Sequence, residues 1–270
     1  MESKKLTMQV LAVTMNQNDH SLLDRMNIQS DALIGNQCQS NDVEHFLYKD
    51  HKVSYYSWNE RGVGLNRNNL LLRATADIVL FADDDVVYED GYEQTVLKAF
   101  EEHPEADMIT FNVIPLPRSI DPKLNVKWHR VGKLNCLKYG APRMAVRLDR
   151  LREKNLYFTL LFGGGAKFSS GEDSLFIMDC IKRGIKVYAY PAKIGTVTFE
   201  TSSWFTGYDE KYFKDKGIFF YFLSPGLVWL LCLQYCVRHK GLFKEYFSAK
   251  MAFRYMLQGI KEFKTGAYVG

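Results

Sequence analysis

Between Asp77 and Asp85 the chain reads Asp-Ile-Val-Leu-Phe-Ala-Asp-Asp-Asp, five apolar residues running into three consecutive carboxylates. A short run rich in Ile, Val, Leu and Phe predicts a strand buried on both faces. In an open α/β sheet, ligands bind beyond the carboxyl ends of such strands, so Asp83, Asp84 and Asp85 stand where a site belongs. Side chains alternate along an extended chain, which would aim Asp83 and Asp85 together and Asp84 away. Two hard carboxylates on one side suit Mg²⁺ or Mn²⁺, held jointly with substrate phosphates. The competing reading is a solvated acidic turn, and the rest of the chain has to choose between them.

At 270 residues with 47% apolar and 14% aromatic content, the chain can bury a sizeable core, which excludes a disordered protein. Its net charge of +4 is unevenly placed. Residues 238–270 hold seven Lys/Arg against two Glu, leaving residues 1–237 at −1. The basic character therefore belongs to the tail. That argues against a nucleic-acid partner and for a local anionic one such as lipid headgroups. The five cysteines are scattered without a CxxC pair, as expected of reduced packing residues. Met1 to Lys5 leads into only a short apolar stretch, so no secretory signal is expected.

Taken in order, Met8–Val13 reads as a first strand and Thr14–Asp19 as a polar loop. A short helix follows over His20–Met26, then strands over Ala32–Gly35 and Val53–Trp58. Asn59–Asn69 reads as a glycine-containing turn into a helix over Leu70–Ala74, putting Arg67 at a helix start where anions bind. Tyr92–Glu102 fits a helix ended by His103-Pro104, and Ala106–Val113 a further strand. Residues 114–135, with Pro115, Pro117 and Pro122, read as irregular chain over the sheet. Arg143–Arg147 reads as a strand with a short helix to Lys154, and Lys186–Tyr190 as the last strand. Alternation of this kind predicts a mostly parallel sheet flanked by helices.

Phe162–Phe176 is the second informative stretch. Gly163, Gly164, Gly165 and Gly171 allow close approach to the backbone, and Glu172 and Asp173 open a helix to about Arg183. Acidic residues there are favoured by the helix dipole alone, which accounts for one carboxylate more readily than for a pair behind glycines. No GxxxxGK[ST] pattern makes this a Walker loop.

Arg67-Asn68, the strand ending in Asp83-Asp84-Asp85, and Gly171-Glu172-Asp173, in that order, make residues 8–210 resemble a family 2 glycosyltransferase of the GT-A fold. The resemblance implies transfer of a sugar from a nucleotide sugar, a UDP-sugar above all, with inversion. By the same resemblance, Asp83 and Asp85 bind a divalent metal, Mn²⁺ or Mg²⁺. Asp173 acts as base with Glu172 beside it, and Thr14, Arg67, Asn68, Asp83 and Asp84 take the donor. Many relatives supply a third metal ligand from a histidine after the last strand, where this chain has Thr198-Phe199-Glu200. The chemistry wants these residue types. Charge building on a leaving diphosphate needs cations, and the incoming hydroxyl must give its proton to a carboxylate. A non-catalytic nucleotide-sugar or glycan-binding module is the alternative reading. A sugar nucleotidyltransferase would show a basic glycine-rich loop after the first strand, and Thr14–Asp19 has none.

Ile218–Val237 carries no charged residue and is long enough to cross a bilayer, but Pro225-Gly226 divides it and basic residues flank both ends. Beyond it, Leu242, Tyr246, Ala249, Phe253, Met256, Ile260 and Phe263 form an apolar stripe beside Lys250, Arg254 and Lys261, as in a helix lying in a membrane surface. The expected organisation is a catalytic domain at 1–217 and a membrane-contacting helical tail at 218–270. Removal of that tail is expected to leave a soluble, donor-binding protein. The expected setting is cytoplasmic, peripheral at the inner face of the plasma membrane, with a single span over 218–237 as the alternative. The expected acceptor is a saccharide or polyprenyl-linked glycan of surface polysaccharide synthesis.

Overall fold

The computed structural model describes residues 5–116, 124–168, 170–198 and 207–268. They form two compact units, one from residues of 1–160 and 172–201, the other from residues of 161–171 and 202–270.

The first unit is a mixed sheet with helices on both faces. In chain order it runs β1 (Met8–Met15), α1 (Leu22–Arg25), β2 (Asp31–Gln37), β3 (Asp42–Tyr48), β4 (His51–Trp58), α2 (Val63–Arg73), β5 (Ile78–Asp83), β6 (Val86–Tyr88), α3 (Tyr92–Glu102) and β7 (Met108–Leu116). Then come β8 (His129–Arg130), β9 (Met144–Arg147), α4 (Leu148–Glu153), α5 (Glu172–Lys182) and β10 (Val187–Thr198). The strands lie in the order β3-β4-β2-β1-β5-β9-β7-β10-β6, with β8 against β10. Strands β4, β2, β1 and β5 are mutually parallel, as are β7 and β10. Antiparallel pairing enters where β9 is inserted between β5 and β7, and at β3, β6 and β8.

β5 is buried on both faces, as its composition predicts. Ile78, Leu80 and Ala82 join Val10 and Ala12 of β1 in a core closed by Leu22 and Leu23 of α1 and Val96 and Phe100 of α3. On the opposite face Phe81 meets Phe158 and Phe176 edge-on, and those two rings stack at 4.0 Å. Two faces packed against different helices fix the height of the strand, and so the position of its carboxylate end.

Several expected boundaries move. Strand β3 lies in a stretch given no element by the sequence. Its residues are mostly exposed, so the two-residue hydrophobic period is missing. Its turn is Lys49-Asp50, both at positive φ (47° and 68°), without the Asn-Gly pair that usually marks such a hairpin. Helix α2 begins at Val63 instead of Leu70, because the polar residues Asn66, Arg67 and Asn69 face partners within the unit. Arg67 is therefore inside a helix and not at its start. β7 extends through Pro115, and β8 interrupts the stretch expected to be irregular. Pro117 and Pro122 lie outside the described residues, as do Ser169, Phe199, Glu200 and Thr201–Phe205.

The second unit is helical: α6 (Glu210–Leu223), α7 (Val228–Arg238), α8 (Lys240–Phe243) and α9 (Ala249–Lys264). Asp209 caps α6 by accepting from the Tyr212 amide, and Ser248 caps α9 by accepting from that of Met251. α6 and α9 cross backbone to backbone at two glycines. A Cβ added to Gly217 would lie 2.2 Å from the Met256 carbonyl oxygen, and one on Gly259 2.6 Å from Lys214 Cα. The glycine-rich segment belongs to this unit: Phe162 packs on Phe219 and Phe222, and Phe168 on Phe263 and Tyr268. The boundary expected at 217/218 falls inside α6. Among the described residues no helix is long and apolar enough to cross a membrane. The uncharged stretch is split between the end of α6 and α7 by a turn at Pro225. On α9, Met256 and Ile260 of the expected membrane-facing stripe are buried instead.

Candidate active site

The carboxylate ends of β1 and β5 lie side by side, with Val13 opposite Asp83. Asp83 is the last residue of β5, and the chain turns at Asp84 and Asp85 before entering β6. The triplet is thus a turn and not continued strand, so simple alternation does not set its directions. Asp84 accepts a 2.6 Å hydrogen bond from the Thr14 hydroxyl and so spans the two strand ends.

Arg67 organises the site. Its side chain is 2% exposed, and it reaches from the second turn of α2 to three carboxylates. Nη2 donates to Asp83 Oδ1 at 2.5 Å, and Nη1 to Asp173 Oδ1 at 2.7 Å and Glu172 Oε1 at 3.1 Å. The guanidinium lies over the Phe158 ring at 5.2 Å. Burial opposes its charge, but Asp173, Asp83 and Glu172 outweigh that and raise its pKa above the ordinary arginine value. One guanidinium thus bridges strand β5 and helix α5, which are remote in sequence.

Glu172 and Asp173 form the first turn of α5, as expected. The other oxygen of Asp173 accepts from the Ala141 amide at 2.9 Å. Ala141 opens a short 3-10 turn with Pro142 next to it, and Gly140 leaves room for the carboxylate. Burial pushes Asp173 up to about 7, helped by the negative charges of Glu172 and Asp83 and opposed by Arg67. Asp85 is raised to about 6 by partial burial of its carboxyl and by the like charges of Asp83 and Asp84. Because Asp85 is exposed as a whole residue, the crowding of like charges is the firmer of these causes.

The side chain of Asn68 is engaged with the backbone of Phe158. Its side-chain amide donates to the Phe158 carbonyl and accepts from the Phe158 amide, both at 2.8 Å. It pins the segment whose ring supports Arg67. Thr14 is engaged with Asp84. Sequence reasoning missed Ala141 and Phe158. The Gly140-Ala141-Pro142 run is a turn signal, but nothing in it names a carboxylate partner.

Among the described residues no group of three or more His, Cys, Asp or Glu side chains has the arrangement of a metal site. The donor set fits a divalent cation in a more limited way. Asp83, Asp84 and Asp85 crowd one turn, and Arg67 neutralises only the first of them directly. A cation bound there would need substrate oxygens to complete its shell, the usual arrangement for Mg²⁺.

The model of the family described as glycosyl transferase family 2 matches residues 39–152. The match covers less than half of the chain. It holds Arg67, Asn68 and the aspartate triplet, whereas Glu172 and Asp173 lie beyond it. Among solved structures, the chain is similar to S. aureus TarS 1–349 in complex with UDP-GlcNAc, at 14% identity and a TM-score of 0.64, over 98% of this chain and 93% of that one. The complex of the same TarS segment with UDP gives 15% identity and a TM-score of 0.63, over 97% and 83%. No curated protein matches. The GT-A fold expected for a family 2 member is the fold this chain shares with TarS.

Proposed function

We propose that this chain is an inverting glycosyltransferase that moves a sugar, most simply a hexose, from a UDP-sugar to a hydroxyl of a saccharide or lipid-linked glycan acceptor at a membrane surface. One observation carries the reading. A single buried guanidinium bonds both Asp83, at the donor-side strand end, and Asp173, a partly exposed carboxylate at a helix start. The family match over the first of these and the UDP-GlcNAc bound to TarS support the choice of donor.

In this reading Asp173 is the base. Its pKa near 7 is matched to taking a proton from a hydroxyl at neutral pH. As that oxygen bonds to the anomeric carbon, the bond to the nucleoside diphosphate breaks and the diphosphate leaves with the electron pair. A single displacement inverts the centre. Ala141 and Arg67 each hold one oxygen of Asp173, so each oxygen keeps a lone-pair direction for the acceptor. Glu172 shares Arg67 and supports that geometry. Thr14 orients Asp84 beside the donor. Asp83 and Asp85 would hold Mn²⁺ or Mg²⁺, which when bound neutralises charge on the diphosphate.

The test is Asp173→Asn, which keeps the shape and removes the proton acceptor. Transfer should fall roughly a hundredfold or more while UDP binding persists. Transfer near the wild-type rate would remove Asp173 from the mechanism. UDP-sugar binding with no turnover of any acceptor or water would favour the binding-module reading.

A further inference from the structure

Helix α7 is apolar on two sides, and only one of them is used. Val228, Cys232 and Cys236 are buried. On the adjoining side Trp229, Leu230, Leu233 and Val237 are 64%, 61%, 51% and 68% exposed. At about 100° per residue these four fall within an arc of roughly 100° of the helix, and no charged residue interrupts it. Isolated exposed apolar residues need no explanation, but a contiguous set marks a surface that something covers.

The flanks of this face indicate what. Trp229 meets Phe253 of α9 at 5.9 Å between ring centres. Phe253 borders the exposed side of α9 where Lys250, Arg254 and Lys261 follow one another at helical spacing. Arg238, Lys240 and Lys244 are exposed where α7 ends. The ion pairs of this unit among the described residues use Lys211 and Lys214 instead. Glu245 is the one exposed acid between α7 and the end of the Lys250–Arg254 stripe. Two copies meeting face to face would bring these basic rims together, which disfavours self-association. A tryptophan and leucines bordered by lysines and arginines match the headgroup boundary of an anionic bilayer.

We propose that the outer face of α7, with the basic stripe of α9 beside it, is the surface that seats this chain on anionic lipid. This deepens the membrane attachment named above and moves it from the α9 stripe, where Met256 and Ile260 are buried, to α7. It is independent of the transfer chemistry, since lipid binding is read without any sugar.

The experiment uses the full chain with vesicles of phosphatidylcholine, alone or mixed with phosphatidylglycerol, followed by flotation and tryptophan emission. Binding to the phosphatidylglycerol vesicles is expected, weakened by molar salt, with a blue shift that Trp229→Phe removes. Leu233→Glu should weaken binding at least tenfold, and Lys250→Ala with Arg254→Ala by roughly tenfold or more. All of these side chains are exposed or rim residues, so an unchanged melting temperature checks that the variants fold. Wild-type binding by Leu233→Glu overturns the proposal. So does a chain that ignores both vesicles, and so does a dimer in sedimentation that Leu233→Glu disperses, which would make the face a protein interface.

Discussion

Arg67 Nη1 donates to Asp173 Oδ1 at 2.7 Å, from a side chain with almost no access to solvent. The two residues come from the second turn of one helix and the first turn of another, and Asp83 shares the same guanidinium. Three carboxylates thus share a single guanidinium.

Arg67→Met should therefore be far more costly than a surface substitution. Removing one partner of a buried ion pair leaves uncompensated charge, at about 3–5 kcal/mol. Chemical denaturation at pH 7 should show a loss of that size. The loss should shrink as pH falls below about 7, where Asp173 takes up a proton instead. A loss under about 0.5 kcal/mol, the range of surface changes, would mean that the cluster reorganises without Arg67.

The raised pKa of Asp173 predicts the acid limb of activity. With the base near pH 7, log kcat/KM should rise with unit slope up to about pH 7 and level off above it. For stability the sign is opposite. A carboxyl whose folded pKa lies above its unfolded value stabilises the fold below the unfolded value, near 4. That contribution is lost as pH rises through about 7. Asp85, raised to about 6, acts in the same direction. An acid limb near pH 4 in the rate profile would mean that a different carboxylate, in an ordinary environment, is the base.

Asp85→Ala removes a carboxylate that, among the described residues, makes no side-chain contact as close as those of Asp83 or Asp84. Its melting temperature should match or exceed that of the parent, since like-charge crowding falls. Its affinity for UDP should lose its dependence on Mn²⁺. Calorimetry with and without Mn²⁺ reads both, and unchanged metal-dependent affinity would take Asp85 out of the metal site.

Gly217→Ala tests the crossing of α6 and α9. The new methyl has no room beside the Met256 carbonyl, and overpacking of this kind costs about 1–3 kcal/mol. Ending the chain at residue 217 should do more damage. It deletes Ile218, Phe219, Phe220 and Leu223 of α6 along with α9, and with them the partners of Phe162 and Phe168. Aggregation on expression is expected in place of the soluble, donor-binding fragment suggested by sequence. A monomeric, cooperatively melting 1–217 fragment would show that the helices are dispensable.

What the sequence determined by itself was local. The apolar run Ile78–Ala82 could only be a doubly buried strand, and the aspartates behind it had to emerge at a sheet end. Glu172 and Asp173 were legible as a helix start, and Tyr92–Glu102 as a complete helix, because period and capping are written within a dozen residues. Tertiary structure decided everything that depends on who meets whom. Arg67 read as an exposed residue at a helix start. It became the buried hub because β5 and α5, about ninety residues apart, deliver Asp83 and Asp173 to the same guanidinium. The tail shows the same limit. Hydropathy marked both sides of α7 and the stripe on α9 as apolar, but only the crossing at Gly217 and Gly259 decided which were spent in the core. A helix's period says that it has an apolar face, whereas burial depends on what the rest of the chain brings against it.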